Sequence, residues 1–227
     1  MKRLFLLALI IIATQAVMAQ FRIGPTGGLN FNRQVFKSNS YKYDGLFKNQ
    51  LGFHMGAISD LLITPRWSLQ SELIYTRRGG SYKTERLNVA EEFKSTVGYL
   101  SLPLCMTYKQ DFKSAYLIMG VGPYIEKLLH STQTYNINGL NIESGSMRVG
   151  TDYTQDEIKP WSAGVKLKAG FELKSGFYGV LYYDIGTADI NPRMTVTRNK
   201  TYGVQFAYIF SLTEEDRYNR FNNYYEF

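Results

Sequence analysis

The sequence predicts an all-β chain, an eight-stranded antiparallel up-and-down transmembrane β-barrel with short periplasmic turns and long extracellular loops. Three observations predict it. Apolar and polar residues alternate with period two over segments of about 10–14 residues, and no helical period is sustained after the first twenty. The connections between these segments alternate between short and long, as they do in barrels with one cellular and one outer end. Aromatic residues make up 15% of the chain, with 18 Tyr against 14 Phe. Tyr combines an apolar body with a wet tip, the type enriched where membrane meets water.

Eight segments carry the alternation. The first, Phe21–Phe31, places Phe21, Ile23, Leu29 and Phe31 on one face. The second is Gln50–Leu62, with Leu51, Phe53, Met55 and Ala57 against Gly52, His54 and Gly56. The third is Trp67–Gly80, with Trp67, Leu69, Leu73 and Tyr75 opposite Ser68, Gln70, Glu72, Thr76 and Arg78, and Ile74 as the one apolar residue on the polar side. The fourth, Thr96–Tyr108, sets Leu100, Leu102, Leu104, Met106 and Tyr108 on one parity. The fifth is Ala115–Lys127. The sixth, Pro160–Leu173, has an unbroken greasy face from Trp161 to Leu173, with Lys166, Lys168 and Glu172 on the other. The seventh is Phe177–Ile185 and the eighth Lys200–Phe210.

The short connections are residues 63–66, 109–114 and 174–176, rich in Pro, Gly, Asp and Ser as turns require. The long ones are Asn32–Asn49, Gly79–Ser95, Leu128–Lys159 and Gly186–Asn199. A soluble sandwich has no reason to sort its loops this way. Mixtures of glycine with His54, Glu72 and Gln70 suit a tight lumen, so the greasy faces are expected to meet lipid.

The ends divide the chain into three parts. Residues 1–19 read as a cleaved secretory signal: Lys2 and Arg3 precede the apolar run Leu4–Ala13, and Val17-Met18-Ala19 suits a cleavage site. Ten apolar residues fall short of the ~20 that span a bilayer as a helix. Residues 20–210 form the barrel domain, and 211–227 a periplasmic tail with Glu214, Glu215 and Asp216 opposite Arg217 and Arg220. That tail is either a loose surface extension or a short docking segment.

Charge and cysteine exclude more than they assign. The net charge of +7 drops to +5 without Lys2 and Arg3, and the basic residues are scattered, so nucleic acid is not an expected partner. The single cysteine, Cys105, permits no intramolecular disulfide and has no recognisable catalytic partner. His54 and His130 share no ligand spacing. No catalytic residue, cofactor site or metal site is assigned, and the chain is expected not to be an enzyme. Asp152, Asp156 and Glu157 are loop acids of the solvated kind rather than a Ca²⁺ site.

Two sets of residues carry the expectations. Eight strands leave room inside for side chains only. His54, Glu72, Arg78, Lys166, Lys168, Glu172 and Asp184 should therefore pair in a plugged lumen, Glu72 with Lys166 or Lys168. Trp67, Tyr75, Tyr108, Trp161, Tyr202 and Phe210 should mark the two water–lipid boundaries.

The runs Gly52-Phe-His-Met-Gly56, Ser68–Gly79, Tyr99-Leu-Ser-Leu-Pro-Leu104, Gly122-Pro-Tyr124 and Tyr183-Asp-Ile-Gly186 together resemble the PorT-like outer-membrane β-barrel family of Gram-negative bacteria. The resemblance covers about Phe21 to Phe210 and lies in the order of the runs, not in any one of them. It implies an eight-stranded barrel in the outer membrane, mostly without a defined activity, and a namesake associated with protein secretion and gliding. On this reading the protein has a structural or interaction role, as an accessory subunit of an outer-membrane or secretion complex. Its partners are outer-membrane lipid, including lipopolysaccharide, and proteins bound through loop 128–159 or tail 211–227. A small solute channel and a rim-located membrane enzyme are the alternatives.

Overall fold

The computed structural model describes residues 21–37, 47–86, 89–192 and 196–211. The expected signal segment and nearly all of the expected tail lie outside these residues. Eleven strands follow in chain order: β1 (Phe21–Lys37), β2 (Phe47–Lys48), β3 (Gln50–Leu62), β4 (Trp67–Arg86), β5 (Val89–Phe112), β6 (Ala115–Ile137), β7 (Leu140–Ser146), β8 (Trp161–Leu173), β9 (Phe177–Gly186), β10 (Val196–Tyr208) and β11 (Phe210–Ser211). All pairings between them are antiparallel. The ring runs β1, β3, β4, β5, β6, β8, β9, β10 and closes from β10 back to β1. β11 resumes the β10 path after Ile209 and pairs with Arg22 and Ile23, so the barrel's pairing reaches Ser211.

The register fixes the shape of the ring. Phe21 pairs with Leu61, and the row continues through Leu69, Met106, Val121, Leu167, Tyr183 and Tyr202 to Phe31. One circuit thus returns to β1 ten residues further along. Eight strands with that stagger tilt by about 35–45° and leave an interior filled by side chains.

The same row shows why the greasy face points outward. Residues of that parity would be core in a soluble barrel, yet Leu29, Met55, Leu73, Leu104, Val121 and Leu181 are all exposed. The opposite parity is buried and polar, with Asn30, Gln70, Glu72, Lys166 and Glu172 inside. Polar residues in and apolar residues out is the arrangement a bilayer selects. Ile74, the exception to alternation in its segment, is buried inside, in the same tightly packed interior as Ile58.

Aromatic side chains collect at the two ends of the apolar band. Near the short turns, Trp67 packs edge-on to Tyr108 with centroids 5.1 Å apart, Phe177 lies 6.1 Å from Phe206, and Phe210 is exposed nearby on β11. At the other end Phe31 stacks on Tyr202 at 5.5 Å, Phe53 lies 5.9 Å from Tyr75, and the Lys127 ammonium sits 5.8 Å from the Trp161 ring.

Several expected boundaries are corrected. The segments are longer than 10–14 residues: β4, β5 and β6 run for 20, 24 and 23 residues. In its described residues Gly79–Ser95 is therefore no loop; they extend the β4–β5 hairpin, paired from Gly79↔Thr96 to Arg86↔Val89. Most of the first half of Leu128–Lys159 is strand as well. β6 continues to Ile137 and turns into β7 through Asn138 and Gly139, both at positive φ. Asn-Gly is the pair favoured in a two-residue hairpin turn of this hand. The turn expected at 109–114 shrinks to residues 113–114, with Lys109 inside β5. Backbone pairing, not hydrophobic alternation, holds these extensions, because both of their faces lie beyond the lipid.

Leu181 is 67% exposed at mid-height of the apolar band, whereas Leu140 is 70% exposed on β7 beyond it. Leu181→Arg is expected to destabilise the folded protein in bilayers by ~2–4 kcal/mol. Leu140→Arg should stay within about 0.5 kcal/mol of wild type. Urea titration in lipid vesicles measures both; equal effects would refute the placement of the membrane.

Candidate functional site: a closed lumen beneath an outward-facing cup

The lumen holds ten buried charged residues in three tiers. At the periplasmic end, Arg22 on β1 donates to both Asp60 on β3 and Glu172 on β8. Lys109 on β5 reaches the same two carboxylates at 2.7 and 2.8 Å. At mid-height Glu72 on β4 accepts from Lys166 at 3.1 Å and from Lys168 at 3.0 Å, both on β8. The two ammonium groups also lie 4.7 Å from the Tyr182 ring and 5.9 Å from the Tyr178 ring. Near the outer end Arg78 donates to Glu126 at 3.0 Å and to Asp184 at 2.7 Å, with its guanidinium 5.5 Å from the Tyr124 ring.

All seven residues expected in the lumen are buried, six of them in these tiers and His54 outside them. His54 is buried and its Nδ1 lies 3.2 Å from the Tyr182 hydroxyl. Glu72 meets both Lys166 and Lys168, not one of them. Asp184 and Arg78 meet each other. Glu172 finds no partner within the expected set; its partners are Arg22 and Lys109. Sequence reasoning missed Arg22, Asp60, Lys109 and Glu126. Asp60 and Glu126 share the parity of His54 and Tyr124 and were there to be found. Lys109 was hidden by a turn drawn too early.

Above the upper tier an apolar plug of Val97, Tyr99, Leu128 and Ile158, with Met147 against it, seals the barrel. Over this plug lies a cavity of about 310 Å³ open to the outside. Its walls are the extended strands, contributing Gln34, Tyr82, Phe93, Ser95 and Gln133. Its other side is two connections that are stitched together. Lys159 donates its backbone N–H to Ile190 O at 2.8 Å and its ammonium to Asp189 at 3.2 Å. Asp189 accepts in turn from the N–H groups of Asn191 and Thr197 at 3.1 and 2.8 Å. Ile158 and Ile190 are thereby held buried at the cavity's edge. A larger depression of about 600 Å³ between Trp67 and Leu181 is a feature of the lipid-facing wall and is lined almost wholly by apolar groups.

The acids of loop 147–159 hold backbone. Asp152 accepts from the Thr154 hydroxyl and N–H at 2.7 and 2.8 Å, and Asp156 from the Asp152 N–H at 2.8 Å. The Thr154 hydroxyl, then its N–H, keeps the Asp152 carboxyl below the usual range. Among the described residues no cluster of His, Cys, Asp or Glu could hold a metal ion.

A wall greasy outside and ionic inside, closed in a ring of eight strands, defines an integral outer-membrane β-barrel. The chain belongs to the outer membrane protein beta-barrel domain family, which matches residues 14–192. No curated protein matches the chain. Among solved structures it is similar to the outer membrane protein OprG from Pseudomonas aeruginosa, at 14% identity over 85% of this chain and 97% of that one, with a TM-score of 0.48. Neisserial surface protein A is similar at 12% identity, 84% and 97% coverage and a TM-score of 0.43. The attachment invasion locus protein Ail of Yersinia pestis, solved with the heparin analogue sucrose octasulfate, is similar at 15% identity, 84% and 99% coverage and a TM-score of 0.40.

Two outcomes follow from this geometry. Glu72→Gln would strand Lys166 and Lys168 in a closed interior and is expected to destabilise the barrel by ~3–5 kcal/mol, whereas adding Lys168→Met should recover much of the loss. Urea unfolding followed by the heat-dependent gel mobility of the barrel reads both. Asp152, with its pKa lowered in the folded state, stabilises its turn at neutral pH, and that support is lost as pH falls through the acid range below the free carboxyl's value. The Thr154 amide proton resonance should move upfield on acidification; a flat titration to the point of unfolding would contradict the assignment.

Proposed function

We propose that this chain is a structural, protein-interacting barrel, an accessory subunit of an outer-membrane or secretion complex that binds rather than catalyses. The observation that carries the reading is the extracellular fin made by the upper parts of β4, β5 and β6 together with β7. The tips of its two hairpins are tied together, because Asn138 N–H donates to Ala90 O at 2.7 Å and Ala90 N–H to Asn138 Oδ1 at 2.8 Å. β7 pairs with β6 on one side and, among the described residues, with no strand on the other. Its Leu140 and Ile142 are 70% and 59% exposed, and it carries no Lys or Pro. Edge strands are normally protected by charge, Pro or a covering element; this uncovered edge, with Glu143 as its one charge and two exposed apolar side chains, suits pairing with an extended segment of another protein.

Four further points support this role. The closed lumen favours an adapter over a small solute channel. His130 lies on the outer wall stacked 5.9 Å from Tyr75, while Ser131 is turned inward and buried, so the pair share no face for rim chemistry. The resemblance to the PorT-like family agrees with a subunit of a larger assembly. Arg77 and Lys127, exposed beside the outer aromatic girdle, suit contact with lipopolysaccharide phosphates in the surrounding leaflet.

The test is photocrosslinking in intact cells from position 142, with position 181 as the lipid-facing control. A discrete protein adduct from 142 that is lost with Leu140→Pro supports the adapter role. A clean monomer from 142, for the full chain and for a version lacking residues 212–227, would sink it. Planar-bilayer recordings should show no conductance of general-porin size.

A further inference from the structure

We infer that the cup above the plug is a binding site for a neutral saccharide of one or two rings, presented on the extracellular side. This rests on the cavity alone and not on the edge strand. Its volume of about 310 Å³ lies at the lower end of small-molecule sites. Its polar lining is made of amides, Gln34, Gln133 and Asn191, and hydroxyls, Ser95 and Thr197. An amide offers a donor and an acceptor side by side, the match for adjacent sugar hydroxyls that each give and take one hydrogen bond.

Gln34 is the telling residue. It is only 6% exposed, and its Oε1 accepts from Ser95 Oγ at 3.3 Å. Its amide nitrogen has no hydrogen-bond partner among the described residues, although it lines the cavity. That donor opens onto the cavity, where a ligand's hydroxyl oxygen would meet it. Tyr82 and Phe93, stacked at 5.6 Å, give the cavity an aromatic wall against which the C–H face of a sugar ring packs.

The lining also says what does not fit. Among the described residues it contains no Lys or Arg. Its one carboxylate, Glu157, is engaged by the Arg148 N–H at 3.0 Å and the Gln133 amide at 3.4 Å. Against these described residues, acidic sugars and the charged termini of short peptides would find no counter-charge. The site is also preformed, because the Lys159–Asp189 pair and the backbone bonds around Ile190 hold its loops together.

The test uses the full-length protein folded in nanodiscs and an array of neutral mono- and disaccharides, with sialylated sugars, sulfated sugars and tripeptides as separate arms. Hits are measured by calorimetry. Saturable binding confined to the neutral arm is expected. Gln34→Glu, which keeps size but removes the donor, and Phe93→Ala should each weaken it at least about tenfold, while Ile142→Ser on β7 leaves it unchanged. Heat-dependent gel mobility shows that each variant has folded. Binding only in an acidic or peptide arm, no binding in any arm, or binding indifferent to both cup variants would overturn the proposal.

Discussion

Charge neutrality in a sealed interior is the constraint on which the rest of this structure depends. An eight-stranded barrel staggered by ten residues has no room for a water column, so any charge on the inner parity must find its opposite among side chains. The lumen holds five bases, Arg22, Arg78, Lys109, Lys166 and Lys168, and five acids, Asp60, Glu72, Glu126, Glu172 and Asp184. The lower tier balances internally. The middle tier has one base too many and the upper tier one acid too many, so the two are neutral only together. That coupling ties β8 and β9 to β4 and β6 across the barrel, and gives a wall otherwise held by backbone bonds a cross-braced interior.

The bracing explains how strands of more than twenty residues can leave the membrane and still be ordered. Outside the lipid the inward faces no longer need ionic partners, because water is at hand, and the interior changes character. Ion pairs give way to the apolar plug of Val97, Tyr99, Leu128 and Ile158, and then to the amide-lined cup. The plug separates a dry, rigid anchor from a wet, recognising end. Both proposed binding surfaces lie on the far side of it, where a ligand can arrive without disturbing the charge balance below.

How much of this was legible depended on the solvent each stretch of chain meets. In the membrane the two faces of a strand see lipid and lumen, so Trp67-Ser-Leu-Gln-Ser-Glu-Leu spells out its orientation by alternation, and Glu72 is marked as interior by parity. Beyond Gly79 both faces can be polar, alternation fades, and Ser81-Tyr-Lys-Thr-Glu-Arg86 reads as loop although it is strand. The Asn138-Gly139 turn was the local signal that survived there, and it was passed over. Arg22 stands at the start of the first alternating segment, where little pattern precedes it, and Lys109 opens a run of polar residues, Lys109-Gln-Asp111, that reads as turn although the turn itself is residues 113–114. The pairing of Glu172 with Arg22, 150 residues apart in the chain, has no local trace at all; it follows from ring closure.

One irregularity links the anchor to the recognising end. The β5–β6 register slips between Gly98 and Tyr99, so that Leu129 and His130 both face outward. A bulge of this kind flips the parity of everything beyond it. Below it the inward residues of β6 are Tyr124, Glu126 and Leu128; above it they are Ser131, Gln133 and Tyr135. Without the extra residue Gln133 would point away from the cup. Gly98 sits at the slip and leaves the room that the His130 ring takes up, since a Cβ there would lie 2.2 Å from that ring, which folds over it and stacks on Tyr75. A glycine on the lipid-facing wall, silent in any reading of hydrophobic pattern, thus marks the point at which β6 changes the side chains it turns toward the outer cavity.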